Sequence, residues 1–151
     1  MKLAIAYDHT ALEMKTQIEA HLQARGIDVI DPCAESATGL EYPIAGYKAA
    51  LLVANGVADG AVLMCGTGIG ISMAAGKVKG IRTFVCSEPY SARMSRAHND
   101  ANAIAFGARV VGIEMAKTIV DAWLDTPFEG DRHANRVAMI NEIDQTGGLN
   151  R

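Results

Sequence analysis

The sequence predicts an α/β protein built on one doubly wound parallel sheet of five strands, flanked by helices and followed by a C-terminal helix. Two observations carry this reading. Short apolar, β-rich runs alternate with longer segments of helical period, the pattern that parallel strands joined by covering helices produce. The runs AVLM (61–64) and TFVC (83–86) lack polar alternation, as expected of strands buried on both faces. A chain of 151 residues, half of them apolar, can bury about two-thirds of its unfolded surface around one core, so residues 1–151 read as a single domain.

The first strand is expected at 2–7. The helix after it, about 11–26, sets Leu12, Ile18 and Leu22 on one stripe with Lys15, Glu19 and Arg25 outside, and Gly26 stops it. A short second strand at 28–31 leads to a helix beginning near Pro43, a natural first-turn residue, which carries Ala45, Ala49, Leu52 and Val53 inward. The third strand is placed at 61–64 with a helix after Gly70, and the fourth at 82–86 with a helix starting near Pro89. The fifth strand, 103–106, is followed by a helix over about 112–124. Past the break TPFEGD, the segment RHANRVAMINEI reads as a last helix with no strand after it, free to reach elsewhere. The simplest topology for these elements is a right-handed, Rossmann-like sheet, whose ligands bind in the crevice beyond the carboxyl ends of the strands.

Composition excludes several functions. A net charge of −3 supplies no global positive field for nucleic acid or an anionic membrane. The longest uncharged stretch, 60–76, is broken by glycines and shorter than the roughly 20 apolar residues of a membrane helix. The apolar run after Lys2 ends at Asp8, too early for a secretory signal. Three widely spaced cysteines, Cys33, Cys65 and Cys86, fit reduced thiols better than disulfides, and a cytoplasmic protein is expected. No metal is expected, since the sequence has no H-E-x-x-H, no C-x-x-C and no clustered carboxylates.

The predicted topology gathers Asp8 and His9, the loop from Cys65 to Gly70, Ser87 and Glu88, and Gly107 to Arg109 along one sheet edge. Glycines 66, 68 and 70 free backbone N–H groups to converge on an anion where strand turns into helix. Cys65, just before those amides, faces the positive end of a helix, the setting in which thiols act near neutral pH. Cys33 and Cys86 read as a loop residue and a core residue. A dinucleotide site is the rival reading, with Glu88 as the ribose-binding acid. It is weakened because Ile71 stands where the third glycine of G-x-G-x-x-G belongs. Asp8 also suits an N-cap, His98 sits in a polar turn, and His21 reads as surface. Arg132 and Arg136, four apart, share one helix face that a phosphate would satisfy, with a solvated face paired to Asp131 or Glu142 as the alternative.

Taken together, YDHT, EYP, CGTGIGIS, GIRTFVCSEPYSARMSRAHNDAN, AFGARVVG and GDRHANRV resemble the type B ribose-5-phosphate isomerases, over nearly the whole chain. Their family also includes the allose-6-phosphate and galactose-6-phosphate enzymes. The resemblance implies a cofactor-free aldose–ketose isomerisation of a phosphorylated sugar, in a homodimer whose active sites each draw on both subunits; pairing of dimers into a tetramer is left open. On the matching positions, Cys65 takes the C2 proton and the amides of Gly66, Gly68, Ile69 and Gly70 hold the enediolate oxygen. His98, with Asp8 nearby, opens the furanose ring, Thr67 handles protons at the reacting carbons, and Asn99 holds the intermediate. His9, Arg109, Arg132 and Arg136 surround the phosphate, and Tyr42 lies close to the sugar. The helix ISMAAGKV has no acid of the kind some relatives use in place of the cysteine, which leaves Cys65 as the base. DPCAESATGLEYP departs from the family wording at the substrate entrance. A tetrose or hexose phosphate (allose or galactose 6-phosphate) therefore stays an alternative substrate, as does a non-catalytic sugar-phosphate-binding module.

Overall fold

The computed structural model describes residues 1–149 and alternates strand with helix to its last element. The order is β1 (Lys2–Tyr7), α1 (Leu12–Ala24), β2 (Asp28–Ile30), α2 (Tyr42–Ala54), β3 (Gly60–Cys65), α3 (Ile69–Ala75), β4 (Thr83–Val85), α4 (Pro89–Asn99), β5 (Ala103–Gly107), α5 (Ile113–Leu124) and α6 (Asp131–Thr146). All five expected strands form, every pairing is parallel, and the sheet order is β2-β1-β3-β5-β4. Helices α2 and α3 cover one face; α1, α4 and α5 cover the other; α6 packs on α4.

The three central strands explain the continuous apolar runs. β3 and β5 are buried along their whole length, with Leu63, Met64, Ile104 and Phe106 fully enclosed between the helix layers. Alanines at 4, 6, 61, 103 and 105 keep the sheet surface low, so helices approach it closely. Helix α2 crosses α3 in backbone contact: a Cβ at Gly46 would lie 2.6 Å from the Ile71 carbonyl oxygen. That crossing presses the start of α2 against the start of α3, where the functional loop ends.

One strand differs from expectation. TFVC is not buried on both faces: β4 is an edge strand paired only with β5, Val85 is 41% exposed, and Cys86 lies just past the strand, half-buried. An apolar run marks a strand but not its rank in the sheet. After α3 the chain crosses over the position that β5 later fills, and β5 returns inside it. Polar residues of α1 outside its apolar stripe engage other parts of the chain. Lys15 pairs with Glu19 and with Asp31, both at 2.8 Å, while His21 and Arg25 bind Asp121 of α5.

Leu63→Ala empties a site with no exposure in the central strand, and is expected to lower unfolding free energy by about 3 kcal/mol in urea titrations followed by circular dichroism.

Candidate active site

Register brings the ends of the central strands level. Tyr7 stands beside Met64 and Cys65 beside Gly107, so the three following loops emerge side by side. Backbone bonds stitch them together: Asp8 N–H to the Met64 carbonyl (3.2 Å), Ala108 N–H to that of Cys65 (2.9 Å) and Arg109 N–H to that of Gly66 (3.1 Å). The approach is too close for side chains. A Cβ at Gly107 would fall 2.6 Å from Thr67 Cα, and one at Gly68, whose φ is +80°, 2.7 Å from the Phe106 carbonyl carbon.

With Gly68 in that left-handed conformation, its N–H donates to Cys65 Sγ at 3.1 Å and aims the sulfur into the concavity of the loop. Ile69 N–H donates to Thr67 Oγ1 at 3.3 Å, while the amides of Gly70 and Ile71 belong to the first turn of α3, which offers them no helical acceptor. The loop forms one wall of an open cleft of about 460 Å³. Asp8, His9, Thr10, Tyr42, Cys65, Gly66, Thr67, Ile69, Gly70 and Arg109 line it. Nine of the residues singled out from sequence are thus brought together, and Gly68 supports them from behind.

Asp8, 6% exposed, accepts from Thr10 N–H (2.9 Å) and Thr10 Oγ1–H (2.6 Å), so a single carboxylate oxygen holds the turn before α1. Tyr42 lies flat on Gly70, where a Cβ would come within 2.6 Å of its ring. His9 and Arg109 are exposed cations or potential cations at the cleft mouth. The 31–41 loop closes over Asp8 and His9 through Gly39. Asp31 anchors its base by accepting from Cys33 N–H, the Tyr7 hydroxyl and Lys15. Burial pushes the Cys33 thiol up, and burial pushes that of Cys86 up to about 11. Ser87 borders a separate depression, and Glu88 caps α4 by accepting from Ser91 N–H, a bond that holds its carboxyl below the usual range. Glu88 is therefore occupied in the way a helix cap is, and not free to bind a ribose.

His98, Asn99, Arg132 and Arg136 are not in this cleft. Helix α4 runs antiparallel to the strands, so its last turn lies at their amino ends, on the opposite edge of the sheet from Cys65. The expected closeness of His98 to Asp8 does not occur within one chain. His98 instead stacks on His133, with ring centroids 4.1 Å apart and planes 4° from parallel. Arg132 Nε donates to His133 Nε2 at 3.3 Å. Glu129 Oε2 lies 3.5 Å from His133 Nε2 and 3.8 Å from His98 Nε2. The ligand atoms of His98, Glu129 and His133 fall within 4.8 Å of one another, a metal-like spacing. Arg132 already engages His133 Nε2, the nitrogen that also faces Glu129, so that atom is occupied by a cationic donor and does not suit an ion. Thr10, Glu129 and His133 escaped the sequence reading; the signals were the Asp8-x-Thr10 turn and the Glu129/His133 spacing of four at a helix start.

A parallel α/β sheet whose crevice sets a thiol and loop amides against a histidine and an arginine defines an enzyme equipped for proton transfer on a small anionic substrate. Residues 3–140 match the family described as Ribose/Galactose Isomerase. The chain is 54% identical over 144 residues to ribose-5-phosphate isomerase B of Escherichia coli (strain K12), covering 95% of this chain and 97% of that one. It is 41% identical to D-erythrulose-4-phosphate isomerase of Pectobacterium atrosepticum, covering 93% of each. The solved structure of Clostridium thermocellum ribose-5-phosphate isomerase B superposes with a TM-score of 0.93 at 47% identity, over 98% of this chain and 100% of that one. The chain belongs to the ribose/galactose isomerase family and is an aldose–ketose isomerase.

Gly107→Ala is expected to displace the loop and cut isomerase turnover by about 10²-fold with the far-ultraviolet dichroism unchanged. At pH 8, iodoacetamide is expected to label Cys65 ahead of Cys33 and Cys86, with loss of activity tracking the Cys65 adduct in peptide mass spectra.

Proposed function

We propose that the protein interconverts ribose 5-phosphate and ribulose 5-phosphate through an enediolate, in a homodimer where His98, Asn99, Arg132 and Arg136 of the partner subunit complete each cleft. The observation that carries this is the Cys65 sulfur held at 3.1 Å by the Gly68 amide, in a loop whose Gly66, Thr67, Ile69 and Gly70 line the same cleft. The dimer is supported by the division of the site: each chain presents one half at the carboxyl edge of its sheet and the other on the α4–α6 surface. The three free thiols suit the cytoplasm, and no described helix is long and apolar enough to cross a membrane.

The phosphate rests between His9 and Arg109 of one chain and Arg132 and Arg136 of the partner subunit. His98 of the partner subunit assists ring opening, in which the C1–O4 bond breaks as O4 gains a proton and the C1 hydroxyl gives one up. Cys65, as thiolate, then takes the C2 proton, and the electron pair moves through C1 onto O1, where the loop amides hold the oxyanion. The same sulfur returns the proton to C1. Thr67 Oγ1 accepts from Ile69 N–H, which leaves its own O–H to move a proton between O1 and O2. A well-aimed donor in such a hole contributes about 3 kcal/mol, so two or three together exceed a general base that adds about 10²- to 10⁴-fold.

In deuterated water, Cys65→Ala is expected to lose C2 hydrogen exchange while calorimetry still detects ribose 5-phosphate binding; continued exchange contradicts the assigned base. Mixing inactive Cys65→Ala with inactive His98→Ala is expected to restore about a quarter of wild-type turnover, since random pairing makes half the dimers mixed, each with one intact site. No recovery contradicts the shared site. A turnover panel is expected to favour ribose 5-phosphate over four- and six-carbon aldose phosphates; the 41% identity to a tetrose-phosphate enzyme makes the four-carbon sugar the comparison of most value.

A further inference from the structure

We infer that His133 is a positioning residue, a buried pivot that fixes the ring of His98 and the guanidinium of Arg132 as one rigid unit. The inference rests on the proposed function, in which these two groups meet opposite ends of the same sugar phosphate. His133 is 5% exposed, whereas His98, Arg132 and Glu129 around it all reach solvent. A buried imidazole is costly unless its polar atoms are engaged, and here, beside Glu129, it contacts two residues assigned to substrate. One face stacks on His98, and Nε2 accepts from Arg132 Nε.

The two contacts have different consequences. Engaging Arg132 through Nε fixes the guanidinium plane and leaves the two Nη groups as a fork for a phosphate. Stacking nearly parallel to His98 removes the rotation that would otherwise let that half-buried ring swing, so its nitrogens keep one direction. The pivot is itself held. His133 N–H donates to the Gly130 carbonyl at 2.8 Å, and Glu129 N–H to the Ala97 carbonyl at 3.0 Å, tying the turn before α6 to the end of α4.

For His133 Nε2 to accept from Arg132, the ring must be neutral with its proton on Nδ1. Burial lowers its pKa from the ordinary histidine range, the cationic neighbours His98, Arg132 and Arg136 push the same way, and Glu129 opposes them. A second proton on this stack would set an N–H against the Arg132 donor. His133 therefore remains the acceptor in its contact with Arg132.

Steady-state kinetics of His133→Ala and His133→Gln, with ribose 5-phosphate and with ribulose 5-phosphate, tests this. The ketose has its O5 esterified and forms no furanose, so its reaction bypasses ring opening on entry. In His133→Ala, inhibition by inorganic phosphate is expected to weaken about tenfold, the loss typical of one hydrogen bond to a charged group, with a matching rise in KM. The kcat on ribose 5-phosphate is expected to fall further than on ribulose 5-phosphate. Glutamine offers Oε1 to Arg132 but no ring to His98, so it is expected to recover phosphate inhibition and not the ribose 5-phosphate kcat. If the alanine variant does not fold, this split in the glutamine variant carries the test. Unchanged phosphate inhibition, or equal loss on both sugars, in a variant of normal melting temperature overturns the positioning role. Wild-type protein that isomerises neither sugar overturns the proposed function instead, so the two failures are read from different proteins.

Discussion

The amide of Gly68 reaches the sulfur of Cys65 only because the backbone of the CGTGIG loop lies against the end of β5 with no side chain between them. Gly107 and Gly68 make that approach, and the left-handed φ of Gly68 turns its N–H inward. Much of the rest of the fold secures this contact. The fully buried β3 and β5 bring Cys65 and Gly107 level, and the crossing of α2 over α3 presses Tyr42 onto the far end of the loop. The sulfur and the amides to which the proposed mechanism gives the proton-acceptor and oxyanion roles thus belong to one turn, whose geometry is set by main chain.

His98 and Asn99 are separated from this turn by the length of the strands. A doubly wound fold can present substrate groups freely at its carboxyl edge, but helix α4 necessarily carries its last turn to the other edge. In the proposed dimer, residues there would serve the Cys65 cleft of the other copy, with α4 and α6 as the elements that reach it. The stack of His98 on His133, held by Arg132, gives that surface a fixed geometry within one chain.

The sequence made most of the fold legible because apolar runs and helical period are local signals. It marked the starts of α2 and α4 through Pro43 and Pro89, and the end of α1 through Gly26. It could not rank the strands, which is why TFVC read as interior when β4 lies at the edge: rank depends on crossovers, and a short apolar strand looks alike in both places. The cleft half of the site was legible because its residues directly follow strands. Arg132 and Arg136 were legible from their spacing of four, but their grouping with His98 came only from the resemblance, since no spacing rule joins α4 to α6, and His133 was hidden by the two arginines beside it. His21 and Lys15 show the same limit from the other side: their place outside the apolar stripe was legible, but the carboxylates they bind, Asp121 and Asp31, come from distant parts of the chain.

The most direct measurement of the central claim is a crystal structure of the protein with a phosphorylated hydroxamate that mimics the enediolate. The account predicts the two mimic oxygens about 2.7–3.1 Å from amides of the 66–70 loop, the Cys65 sulfur over the carbon that corresponds to C2, and the phosphate shared between Arg109 and arginines of the partner subunit. A mimic seated away from the loop, or a Cys65 sulfur turned from it, would contradict the account.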